Sequence, residues 1–259
     1  MRFTSSRAPG RGPFFLWAHF YDPHESYQPP APYKSKFKGR PYDGEIAYTD
    51  WCLGRLLDEL KSRGLYDNTL VVLTGDHGES LGEHKELSHG IFVYTATQWV
   101  PLVMKLPRQE RAGSRVEEPV RHVDIFPTVL SILGLRDRGG IRPGRDLKGR
   151  IQGGEGRKDL PSYSESQMAR LDYGWSAVEA VQEGALKYIH LPKAELYDLD
   201  QDPRESRNLF ESQKGTAARL HRLLEKIKDE NKDPEAEASA VQEMDKETEE
   251  KLRGLGYMA

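Results

Sequence analysis

Hydrophobic positions along the chain follow two different periods. Three short unbroken apolar runs, Phe14 to Phe20, Leu70 to Thr74 and Val100 to Leu106, read as strands covered on both faces. Between the first two, Ile46, Leu53, Leu56, Leu57 and Leu60 recur at helical spacing, and Gly64 stands where a left-handed cap would end the helix. A second helix is expected from about Asp124 through Val129, Leu130, Ile132 and Leu133 to Gly134. Strand, helix, strand, helix predicts an α/β layer architecture, with a mostly parallel sheet flanked by helices.

The character then changes. Gly139 to Lys158 is rich in Gly, Arg and Asp and reads as a long surface loop. Ala177 to Gln182, a Glu183-Gly184 turn and Ala185 to His190 predict a hairpin. Thr216 to Leu252, rich in Glu, Lys, Ala and Leu, predicts helix with a break at Pro234; its charges suit a solvated face and carry no chemistry. The division expected is a tail over 1–13, an α/β portion over 14–158, and a small C-terminal antiparallel α+β subdomain over 159–259. Met1 to Pro13 is rich in Arg, Gly, Ser and Pro and holds no apolar signal-peptide core. A central-type strand starting one short tail from Met1 suggests a cut through a larger domain.

Composition narrows the partners. The 259 residues, 37% of them hydrophobic, can bury one good-sized core. With 38 basic and 41 acidic residues the net charge is −3, which gives no argument for nucleic acid. No 18-residue apolar run argues for a membrane span. The single Cys52 excludes an internal disulfide and leaves the compartment undecided.

The densest cluster of reactive side chains is Thr74-Gly75-Asp76-His77-Gly78-Glu79-Ser80-Leu81-Gly82-Glu83-His84, directly after the run ending at Leu73. Ligands in open α/β sheets collect at the carboxyl ends of strands, so the position itself points to function. Asp76 and His77 on a Gly-flanked turn can face one divalent cation, whereas in a regular strand they would point to opposite faces. The bland alternative is a polar loop whose Asp caps the next helix. A second cluster, His19 to Pro30, places His19, Asp22, His24 and Glu25 on a Pro-stiffened loop. Its imidazoles could hold a leaving group and protonate it, or be merely structural.

Several phrases together resemble a family. Tyr42 to Asp50, Leu70 to His84, His89-Gly90 and Val100 to Val103 are similar to the sulfatases and their phosphonate monoester hydrolase and phosphoethanolamine transferase relatives. Asp22-Pro23-His24, Glu195 to Leu199 with Asp202-Pro203 and Asn208-Leu209, and Leu252 to Tyr257 are similar in the same order. The resemblance implies an alkaline-phosphatase-like fold. It implies that Asp76 and His77 are the second metal-ligand pair, where arylsulfatases usually have Asp-Asn. Thirteen residues beyond Asp76, where many sulfatases place a Lys on the sulfate and the leaving oxygen, stands His89. His24 matches the histidine that binds the ester and protonates the leaving group, and His84 joins His24 and His89 as a substrate contact. The metal implied is divalent: calcium by family, with manganese or zinc open because an imidazole shifts preference away from calcium.

The departures matter equally. Family members carry a strand with a first metal pair followed by Cys or Ser in Cys-x-Pro-x-Arg, the cysteine becoming formylglycine, and these residues contain neither. Cys52 is followed by Leu53-Gly54-Arg55 and reads as a small hydrophobe on a helix. The expectation is therefore a sulfuric ester hydrolase acting on small-molecule or carbohydrate sulfate, periplasmic or extracellular by family, with this chain alone inactive. Phosphonate or phosphodiester chemistry, phosphoethanolamine transfer and a non-catalytic remnant stand as alternatives.

Overall fold

The computed structural model describes residues 12–137, 139, 143–154 and 160–232. After the short helix α1 (Tyr33–Lys36), α2 (Pro41–Ser62) opens a turn earlier than the apolar period alone indicates. Pro41 explains this, because its missing N–H costs nothing in a first turn. The helix ends as expected, with Gly64 at φ +65°.

Strand β1 (Val71–Thr74) and strand β2 (Leu102–Lys105) bracket a loop carrying the helix α3 (Thr95–Gln98). They pair antiparallel, Val71 opposite Lys105 and Thr74 opposite Leu102. The mostly parallel sheet expected is not seen among the described residues. An apolar run reports burial and says nothing about the direction of a neighbour. The connection over residues 75–101 is long enough for either direction, so neither the apolar runs nor the spacing between them chose the antiparallel pairing. Phe14 to Phe20 is not a strand either. It joins no ladder, and Phe15 (87% exposed) and Trp17 (80% exposed) lie open to solvent.

Helix α4 (Ile125–Ile132) follows a 3-10 turn over His122–Asp124 and ends on Gly134 at φ +67°, as the period predicted. Within the stretch read as a loop, Lys148–Ile151 forms the single turn α5. The expected boundary near 158, the break at Pro234 and the motif from Leu252 to Tyr257 lie outside the described residues.

The C-terminal sheet is an antiparallel meander, β3 (Ser162–Ser166), β4 (Val178–Glu183), β5 (Leu186–His190) and β6 (Glu195–Asp198) in chain order, with α6 (Met168–Tyr173) between β3 and β4. The hairpin turn falls on Gly184-Ala185, one residue later than expected. Gly184 there takes φ +59°, the positive angle that a type II′ turn asks of its first central residue. Helix α7 (Lys214–Glu230) covers one face, burying Ala217, Leu220 and Leu224 against Val181, Tyr188 and Leu196. The opposite face buries Val178, Ala180, Ile189 and Tyr197 against Val93 and Tyr94. The segment running from the reactive motif into α3 therefore shares a core with the C-terminal sheet.

Candidate active site

The turn leaving β1 is held from two sides. Gly78 donates its N–H to the Thr97 carbonyl in α3 (2.8 Å), and a Cβ at Gly78 would meet the Ala96 oxygen at 2.2 Å, so only glycine fits. From the 3-10 turn, His122 places Nε2 within 2.8 Å of the Gly75 carbonyl. On this turn His77 Nδ1 lies 2.8 Å from the Gly78 oxygen, and Asp76 Oδ1 accepts the His77 N–H at 3.1 Å.

His89 and His24 come to the same place from different elements. The His77 and His89 ring centroids are 4.0 Å apart, His24 and His89 4.9 Å, and His24 and His77 6.5 Å. Each ring has Nδ1 against an oxygen: His77 on Gly78, His24 on the Glu25 carbonyl (2.6 Å), and His89 on Glu79 Oε1 (2.9 Å). A ring nitrogen facing a carbonyl or carboxylate carries the hydrogen, so in each neutral imidazole the lone pair sits on Nε2. The Glu79 side chain is only 4% exposed, beside the buried Tyr27 hydroxyl. Burial first, and the Glu79 carboxylate second, push that phenol well above its ordinary range.

His84 does not join this group. Its ring stacks on Tyr94 at 3.6 Å and its Nε2 meets the Arg204 carbonyl at 3.1 Å, both structural contacts. Its backbone sits at φ +51°. Sequence reasoning gave no role to Glu79, Glu45 and His122. Glu79 lies two residues beyond His77 and could have been suspected as an imidazole's carboxylate partner. Glu45 and His122 carry no such local signal.

The donor set can be tested against a divalent cation. His77 Nε2 and Asp76 Oδ2 are 3.9 Å apart, and the Asp76 side chain is 71% exposed. Two donors each roughly 2.0–2.4 Å from one ion can stand that far apart, so the pair fits as one side of a metal site. Among the described residues no group of three His, Cys, Asp or Glu side chains is arranged to hold an ion. The pair alone therefore does not make a complete metal cage.

The sulfatase family model matches residues 3–135, and that of the N-sulphoglucosamine sulphohydrolase C-terminal region matches 82–233. The chain is 30% identical over 185 residues to the N-acetylglucosamine-6-O-sulfatase of Bacteroides thetaiotaomicron, covering 66% of this chain and 32% of that protein. Among solved structures it resembles the phosphonate monoester hydrolase of Silicibacter pomeroyi, with TM-score 0.64 and 26% identity over 76% of this chain and 42% of that one. It also resembles a protein solved in complex with its substrate D-glucosamine-2-N,6-O-disulfate, with TM-score 0.60 and 27% identity over 75% of this chain and 41% of that one. The chain spans about a third of the length of the curated relatives it matches. Because the family match covers more than half of its residues and its solved neighbours share the alkaline-phosphatase-like fold, the chain belongs to the sulfatase family.

Proposed function

We propose that the protein to which these residues belong hydrolyses sulfate esters, with carbohydrate sulfate as the substrate class. The observation that carries this is the convergence of His24, His77 and His89, each anchored through Nδ1, in a chain of the sulfatase family. His89, locked by Glu79, directs Nε2 to the group being transferred. His24, with Nδ1–H spent on the Glu25 carbonyl, has Nε2 available to hand a proton to the leaving oxygen. Asp76 and His77 would hold the divalent cation, calcium by family or else manganese or zinc. When bound, the ion supplies positive charge where the ester oxygens gather negative charge. The nucleophile, hydrated formylglycine by family, would come from a Cys-x-Pro-x-Arg segment outside these 259 residues. Carbohydrate sulfate is supported by the two sugar-sulfate proteins that resemble the chain. Export to the periplasm or beyond remains a family-level part of the same proposal.

A second reading, phosphonate or phosphodiester hydrolysis, is favoured by the Asp76-His77 pair, by His89 in place of Lys, and by the likeness to a phosphonate monoester hydrolase. The deciding experiment joins these residues to a sulfatase segment bearing Cys-x-Pro-x-Arg and compares kcat/KM on aryl sulfate and aryl phosphate diester. Preference for sulfate, lost on Asp76→Ala, supports the proposal, and a reversed preference selects the second reading. The isolated 259-residue polypeptide should show almost no turnover, since losing a nucleophile costs on the order of a million-fold in hydrolases whose groups act as a unit. Ordinary enzyme rates from that polypeptide would refute the mechanism.

A further inference from the structure

We infer that Glu45 is a positioning residue for His24, acting through the backbone of the His24–Gln28 loop without touching the ester. Its carboxylate is buried, with the residue 2% exposed, and sits near the start of α2. Oε2 accepts the His24 N–H at 3.1 Å, and Oε1 accepts the Gln28 N–H. One carboxylate thus fastens both ends of a five-residue loop and fixes its curvature. The same helix holds the loop at two further points. Thr49 Oγ1 donates to the Asp22 carbonyl at 2.9 Å, and Gly44 lies so close to Pro29 that a Cβ would come within 2.8 Å of its Cγ.

The consequence reaches the ring because His24 Nδ1 bonds to the carbonyl of Glu25, inside that loop. The line of constraint runs from Glu45 to the two N–H groups, to the Glu25 carbonyl, and so to the tautomer and tilt of the His24 imidazole. Glutamine at position 45 would keep the shape but offer one carbonyl oxygen and one N–H₂, setting a donor against a buried donor. Aspartate would stop one methylene short of the loop.

This inference rests on the reading of His24 given above, but its test does not need turnover. Imidazole nitrogen spectra of the 259-residue chain should show His24 predominantly as one tautomer, with the hydrogen on Nδ1. In Glu45→Gln the His24 signals should move toward the average of two tautomers, while His190 and His221 on the C-terminal sheet and α7 stay in place. Thr49→Val, which removes only the Asp22 anchor, should move His24 the same way by less. His24 signals unchanged in Glu45→Gln, or His190 and His221 moving as far as His24, would overturn the inference. If Glu45→Gln does not fold, Thr49→Val decides by the same criterion. In the nucleophile-bearing protein, Glu45→Gln should lower kcat about 10- to 100-fold for aryl sulfates with poor leaving groups and less for good ones, as a misplaced proton donor requires. A tautomer change without that leaving-group dependence would support the positioning role and count against the role of His24 in ester cleavage.

Discussion

The side chain that does most to define the cluster after the histidines themselves is Glu79. Its carboxylate is buried against His89 Nδ1 at 2.9 Å and selects the tautomer with the hydrogen on Nδ1. Carboxylates behind functional imidazoles are worth about 10- to 100-fold when removed. Glu79→Gln is therefore expected to lower kcat of the nucleophile-bearing protein by that factor with an unchanged circular dichroism spectrum; undiminished kcat would remove Glu79 from the site. That His24, His77 and His89 would come together was legible in the sequence, because they sit in recognisable phrases at strand and loop ends. Glu45 and His122 were not, because their contacts cross 21 and 47 residues and follow only from how α2 and the 3-10 turn are placed. His84, expected as a substrate contact, stands apart from the three converging rings and stacks on Tyr94.

At the level of elements, helices were easier to read than strands. The apolar period and terminal glycines of α2 and α4 encode their existence and their C-terminal ends. Apolar runs encode only a wish for burial, so the antiparallel pairing of β1 with β2 and the absence of a ladder at Phe14 to Phe20 were not visible. The start of α4 also carries a buried ion pair beside His122, the residue that contacts the turn leaving β1. Asp124 is fully buried, bonded to the Arg121 guanidinium at 2.8 Å, the Arg145 N–H at 2.7 Å and the Arg121 N–H at 3.0 Å. Burial pushes its carboxyl up, but the Arg121 guanidinium and those N–H groups more than offset this, holding it below the usual carboxylate range. A depressed folded value means that the stabilisation is complete above the unfolded carboxylate range, about pH 3.9, and is lost as pH falls through the folded value. Asp124→Asn should cost about 3–5 kcal/mol at neutral pH, as other broken buried pairs do. Urea unfolding at pH 7 and at pH 3 should show the difference from the parent shrinking in acid; an equal difference at both would exclude the linkage.

For the molecule as a whole, the meander and the site-bearing segment behave as one body. Val93 and Tyr94 complete the core of the C-terminal sheet, and the buried Glu205 joins Lys187 of β5 (2.7 Å) to the Thr95 N–H of α3 (2.6 Å). Glu205→Ala strands an interior ammonium and an unpaired N–H, and should lower stability by about 3–5 kcal/mol in a single transition. Two separate transitions in that variant would show that the sheet and the site unfold independently. The hairpin was legible from its two short segments and turn glycine, whereas the joining of sheet to site was not, since Tyr94, Lys187 and Glu205 are far apart in the chain. The uncovered run at Phe14 to Trp17 carries a consequence of another kind. A run of exposed apolar and aromatic side chains that joins no ladder is a surface to which other chains can adhere. A concentrated solution of the 259-residue polypeptide should therefore scatter light increasingly with time, and lysine at Phe15 and Trp17 should suppress this without altering the melting temperature. Colloidal behaviour, and not only catalysis, is thus written into those few residues.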